Sequence, residues 1–240
     1  RQQSADSASK VRVAAGGPQV ASMTTMLDPL PSATGSDPDA TGPGRLEVPR
    51  PYRIRVATEA DVEEYVHTHI ALNAITYAHY APPEFARNRR ADYADRVQEL
   101  TDEIAEAAQA QAQGREPFRQ HWVAENSLGT IVGVMSAGRG VEPWERRIVG
   151  DAWFDSGAAY ALSHLYLVPG VHGSGLAQEM LDVGLPERRP AYLWAYDDNL
   201  RARAFYRKNG FAPDGLQTLS GEHWGNMPMS RWVRPDVVRP

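Results

Sequence analysis

Leu165-Tyr166-Leu167-Val168-Pro169-Gly170-Val171-His172-Gly173-Ser174-Gly175-Leu176-Ala177 is where the reading starts. The run Tyr160 to Val168 is strongly apolar and reads as a strand that Pro169-Gly170 ends. The glycines then lead into Met180, Leu181 and Val183, a helix stopped by Pro186. A glycine-rich turn at this junction has a physical use. Without side chains its backbone N–H groups can converge, and the helix N-terminus adds positive potential, so a pyrophosphate can settle there. The same turn also serves merely to pack a helix against a sheet. A dinucleotide fingerprint would place a third glycine near Gln178 and an acid about twenty residues on. Asp197 is roughly in place but the glycine is absent, and a long ordered region precedes the turn. A phosphate loop ending in Gly-Lys-Ser/Thr is missing.

Downstream, Ala191 to Tyr196 is a strand, and Asp198-Asn199 can cap a helix running to Lys208, with Asn209-Gly210 as its stop. A short strand near Phe211 and a last one around Met229 to Val233 follow. Upstream, Ile54 and Val56 alternate with Arg53 and Arg55, and Thr58 with Glu59, Asp61, Glu63 and Glu64 marks a helix start. Ala81-Pro82-Pro83 breaks that region. Tyr93, Val97, Leu100, Ile104 and Ala108 then form the apolar stripe of a long helix whose Ala/Gln end, up to Gly114, is expected to fray into solvent. His121 to Glu125 and Thr130 to Ala137 read as a hairpin, followed by a long loop, Gly138 to Gly157, carrying Trp144, Trp153 and Phe154. This order predicts an α/β (α+β) fold, a mixed sheet with helices on its faces.

Composition narrows the function. The 240 residues are 42% hydrophobic and 23% charged, as in a folded globular domain, and no apolar run approaches the length of a membrane span. Cysteine is absent, which excludes disulfides, thiolate metal sites and an acyl group carried on cysteine. A net charge of −5 argues against a generic nucleic-acid binder. Every aromatic residue lies at or beyond Tyr52, and residues 1–50 are rich in Ser, Ala, Gly, Pro, Asp and Thr, so a disordered tail is expected there, with the folded domain in residues 51–240. A first residue Arg1 is expected of a processed or trimmed chain. No secretory pattern is read, so a cytoplasmic location is expected.

Three segments together resemble the GNAT family of N-acetyltransferases: Leu165 to Pro169, His172-x-x-Gly175-x-Ala177, and Asn199 to Phe211 with its Phe205-Tyr206-x-x-x-Gly210-Phe211 ending. The likeness spans about Tyr52 to Arg234. One departure stands out: the first motif position, usually Gln or Arg, is His172. The resemblance implies a mostly antiparallel sheet of six to seven strands, helices on both faces, and a central pair of splayed parallel strands, here Leu162–Val168 and Ala191–Tyr196. It implies acetyl-CoA as cosubstrate. Backbone groups of Leu165, Tyr166 and Leu167 would pair with the pantetheine arm, as an added strand does. His172, Gly173, Ser174, Gly175, Leu176 and Ala177 would cradle the pyrophosphate, Asn199 would meet the pantetheine, and Lys208 or Arg207 outer phosphates.

For the chemistry, a backbone N–H at a strand bulge near Leu165 to Leu167 would polarise the thioester carbonyl. Tyr206, with an ordinary pKa near 10 against roughly 8.5 for a thiol, stays protonated and can act as general acid. The general base is less plain. Positions where relatives often carry a glutamate hold Ala161, Ser163 and Trp194. His164 is the nearest titratable group, although simple alternation also allows it to point into the core. His223, Glu125 and a water chain are the other options. Tyr77, Tyr80, Trp153, Trp194 and Trp224 would line an aromatic acceptor pocket. The expected acceptor is a small-molecule amine, ahead of a protein amine, with no metal, nucleic acid or membrane partner, and a homodimer is compatible. The alternative is a non-catalytic acyl-CoA-binding sensor of the same fold.

Overall fold

Tyr52–Val56 forms strand β1, and the acidic turn after Thr58 opens helix α1, Val62–Tyr77. The computed structural model describes residues 51–142 and 144–236, so the expected tail lies outside the described residues. After the Pro82-Pro83 break come α2, Phe85–Ala91, and α3, Tyr93–Ala112. The hairpin is β2, Arg119–Asn126, and β3, Ile131–Arg139. The long loop that follows holds a short helix, α4, Glu145–Val149, and a 3-10 turn, Gly150–Ala152. Then come β4, Tyr160–Leu167; α5, Leu176–Gly184; β5, Ala191–Tyr196; α6, Leu200–Lys208; β6, Ala212–Leu219; and β7, Pro228–Arg234.

The seven strands make one sheet in the order β1-β2-β3-β4-β5-β7-β6. Every neighbouring pair is antiparallel except β4 and β5. Strand alternation, shifted where β3 skips Val132 in its pairing with β2, puts Val123, Ile131 and Val134 on one face, where they pack under α1 and α3 with Tyr65, Val66, Leu100 and Ile104. Ala124, Val132 and Met135 go to the other face, under α5 and α6 with Leu176, Met180, Leu181 and Tyr206.

Three expectations need correction. The buried stripe of α3 runs through Leu100, Ile104, Ala107 and Ala110, while Ala108 is exposed, because the helical period drifts the apolar side by a residue over three turns. The end of α3 is also anchored and does not fray: Ala110 is fully buried, and its carbonyl accepts from Gln113 and Arg115. The strand expected to be short near Phe211 is the eight-residue β6.

Candidate active site

β4 and β5 pair only at Ala161↔Tyr192 and Leu162↔Leu193. Beyond Leu162 they part, and the edge of β4 that faces β5 has no strand partner among the described residues. β4 meanwhile stays paired to β3 as far as Leu167. The pairing skips Ser163, since Ser136 sits opposite His164 and Ala137 opposite Leu162. The bulge is therefore at Ser163 and not near Leu165 to Leu167 as expected. The extra residue reverses the alternation. Leu162, Leu165 and Leu167 pack on the α5/α6 side, whereas Ser163, His164 and Tyr166 line a cavity of about 630 Å³ on the α1/α3 side. His164 thus faces the cleft and not the core.

At the C-terminal end of β4, Pro169–Val171 makes one 3-10 turn and Gly175 caps α5 with φ +91°. Side chains rarely adopt that angle, which is why glycine stands there. Among the described residues, the amides of Gly173, Gly175 and Ala177 have no intramolecular acceptor. A Cβ built at Gly173 or Gly175 meets nothing within 4 Å. Donors aimed into open space at a helix start fit a pyrophosphate. Ser174 is used differently: its hydroxyl donates to the Val171 carbonyl and accepts from the Leu176 amide.

His172 does not reach forward as a free donor. Arg201 can only donate, so its Nη1 bond of 2.6 Å makes His172 Nδ1 the acceptor. Nε2–H then donates to the Leu167 carbonyl at 3.1 Å. The imidazole is held neutral, its pKa lowered by burial and by the Arg201 charge. The outcome is a guanidinium held at the glycine turn, a residue that sequence reasoning missed. Asn199 caps α6 by accepting from the Ala202 amide at 3.1 Å. Lys208 and Arg207 stand exposed at the far end of α6, seven and six residues from Arg201, or about 10 Å along the axis. The placement leaves Arg201 as the cation beside the turn.

Tyr206 is buried against Phe205 and Phe211. Burial pushes its pKa up, which keeps the phenol protonated. His164 Nε2 lies 2.7 Å from the Tyr65 hydroxyl, and its ring stacks on His69 at 4.1 Å between centroids. Burial holds His164 well below the ordinary imidazole value, and the nearby His69, His121, Arg96 and Arg119 add to that. Burial likewise drives His69 down to about 3. Tyr166 bonds Tyr77 through the two hydroxyls.

Of the expected aromatic pocket, Tyr77, Trp194 and Trp224 do line the cavity. Tyr80 packs beside Tyr77 instead, and Trp153 lies under Arg146, so neither reaches it. His223 is on the rim, paired with Asp92 at 2.8 Å. Glu125 is removed from the candidates for the base: it pairs with Arg55 at the β1–β2 edge. Carboxylates enter the cavity from α3, where Asp92, Asp95, Glu99 and Glu103 follow the helical spacing, and from Glu142 and Glu222. The sequence signal for this wall was present in α1, where His69 and Asn73 share the period of the buried Tyr65, Val66 and Tyr77.

This sheet, opened between its one parallel pair, with a glycine turn after β4, has the mixed α/β architecture of the GNAT fold. Residues 117–213 match the model of the acetyltransferase (GNAT) domain. The fold is similar to that of the PaiA N-acetyltransferase of Thermoplasma acidophilum, solved in complex with coenzyme A: 17% identity, TM-score 0.52, over 75% of this chain and 97% of that one. A histone acetyltransferase-related protein of Corynebacterium glutamicum aligns at 21% identity and TM-score 0.49, over 79% and 99%. No curated protein matches by sequence.

Proposed function

We propose that this protein transfers the acetyl group of acetyl-CoA directly to the primary amine of a small molecule. The observation that carries the reading is the set of unpartnered amides at Gly173, Gly175 and Ala177, in the turn that follows β4 once it has parted from β5. In this reading the turn binds the pyrophosphate, with Arg201 as its cationic partner. The unpaired edge of β4 from Leu165 to Leu167 holds the pantetheine arm as a neighbouring strand would. Asn199 stiffens the start of α6, which keeps Arg201 in place.

The acceptor amine enters from the α1/α3 side, where the cavity mixes aromatic rings with carboxylates and so suits a cation with an apolar body. The neutral His164 receives the proton that the amine sheds as the C–N bond forms. Tyr206, protonated at neutral pH, gives its phenolic proton to the departing sulfur. With no cysteine to carry an acyl group, both substrates are bound together, and positioning accounts for much of the rate.

The test is thiol release from acetyl-CoA in the presence of an amine panel. Turnover with at least one small amine is expected. Tight CoA binding with no turnover on any amine favours the sensor reading.

A further inference from the structure

We propose that Glu103, His121, Tyr65 and His164 form a proton relay that joins His164, on the β4 wall of the cleft, to the half-exposed Glu103 carboxylate on its α3 wall. The inference rests on the acetyltransferase reading and supplies the sink for the proton that the amine loses.

The chain is continuous. Glu103 Oε2 lies 2.9 Å from His121 Nε2, His121 Nδ1 lies 3.3 Å from the Tyr65 hydroxyl, and that hydroxyl lies 2.7 Å from His164 Nε2. Its four members come from α3, β2, α1 and β4, so no single element builds it. Donor and acceptor roles follow from chemistry. The carboxylate of Glu103 can only accept, so His121 carries its proton on Nε2. Tyr65 also lies 2.9 Å from the Met135 carbonyl, which can only accept, so the one phenolic proton is shared between Met135 and His121 Nδ1. The Tyr65 oxygen must then accept from His164, which places a proton on His164 Nε2 and leaves Nδ1 bare. That nitrogen has no protein partner among the described residues, and its ring lines the cavity. Each imidazole is neutral with the same tautomer, the one arrangement in which every link points the same way.

Burial supports this assignment, since it disfavours the charged form of both His121 and His164, and Arg96 and Arg119 nearby do the same. His69 stacks on His164 and holds the ring plane. At the other end, burial pushes the Glu103 carboxyl up, but the hydrogen bond from His121 N–H and the charges of Arg119 and Arg96 outweigh it, so the group is held below the usual carboxylate range and ionised. Its side chain is 35% exposed, which opens the chain to water.

The step balances. As the amine nitrogen bonds the acyl carbon, its extra proton passes to His164 Nδ1. The Nε2 proton moves to Tyr65, the phenolic proton to His121 Nδ1, and the His121 Nε2 proton to Glu103. Run in reverse, the chain returns a proton to the cleft, where it restores the Tyr206 phenol that has protonated the departing sulfur, and both tautomers are reset. Amine and thioester become amide and thiol with no net proton.

Long-range 1H–15N spectra of the full chain labelled at histidine nitrogen test the arrangement without any acceptor. His164 and His121 are both expected as neutral Nε2–H tautomers at pH 7.5, with both signals shifted in Tyr65→Phe. An Nδ1–H form or an imidazolium at either position overturns the relay. Kinetically, Tyr65→Phe and Glu103→Gln are each expected to lower kcat by ~10–100-fold. KM for acetyl-CoA should stay unchanged, with spermidine and tyramine as the acceptors used. Glu103→Gln sits at the exposed end and still accepts from His121, so folding is preserved while proton uptake is lost. Wild-type kcat in that variant overturns the relay. Absence of turnover in the unsubstituted protein counts instead against the acetyltransferase reading, and the spectra then decide the relay by themselves.

Discussion

At His172, imidazole stands at the motif position where the GNAT resemblance leads one to expect Gln or Arg, and its two nitrogens are both engaged, one by Leu167 and one by Arg201. The guanidinium that the motif position lacks is thereby supplied from α6. Arg201→Ala is expected to weaken CoA binding about tenfold, or ~1.4 kcal/mol, with the melting temperature of the free protein unchanged. Calorimetric titration checks this, and unchanged affinity would remove Arg201 from the phosphate site. His172→Phe should reproduce part of that loss, because the cation is no longer tethered. Tyr206 is a case of the opposite kind, a buried phenol whose surroundings keep it protonated. Tyr206→Phe should lower kcat far more than it weakens acetyl-CoA binding; equal loss of both would mean that the ring only packs α6.

Among the elements, β4 decides the site through one extra residue. Counting by alternation from Leu162 would turn His164 toward α5 and α6, and the bulge at Ser163 turns it to the cavity. Deleting Ser163 is expected to leave a folded protein that binds CoA but has lost turnover. Retained turnover would show that the facing of His164 is irrelevant to the reaction. The start of α5 carries the other constraint. Gly175→Ala places a side chain at φ +91°, expected to cost ~1–2 kcal/mol of stability and to weaken CoA binding by moving the Gly173 and Ala177 amides. Denaturant titration with and without CoA measures both parts.

Over the whole molecule, three imbedded histidines, His69, His121 and His164, share one wall and all resist protonation. In the unfolded chain each takes up a proton as pH falls through about 6.5. The folded protein binds fewer, so stability is complete above that value and declines as pH drops below it, His69 titrating only at about 3. The slope between pH 6.5 and 5 is expected to be at most ~1.4 kcal/mol per pH unit for each histidine. His69→Phe should flatten it, and a melting temperature indifferent to pH in that window would contradict the assignment. The element order was legible in the residues because Pro, Gly and Asn punctuate it and because period-two and period-3.6 patterns depend only on neighbours in the chain. The glycine turn was legible for the same reason, since its chemistry lies in the local backbone. His172 with Arg201, and the path from Glu103 to His164, were not, because those partners meet only once the sheet has closed. What the residues alone determined is the run of strands and helices and the turn that follows β4. Which way His164 faces, and what it touches, was decided by tertiary structure, because a single unpaired residue in a strand inverts every side chain beyond it, and only the register with β3 shows that it is there.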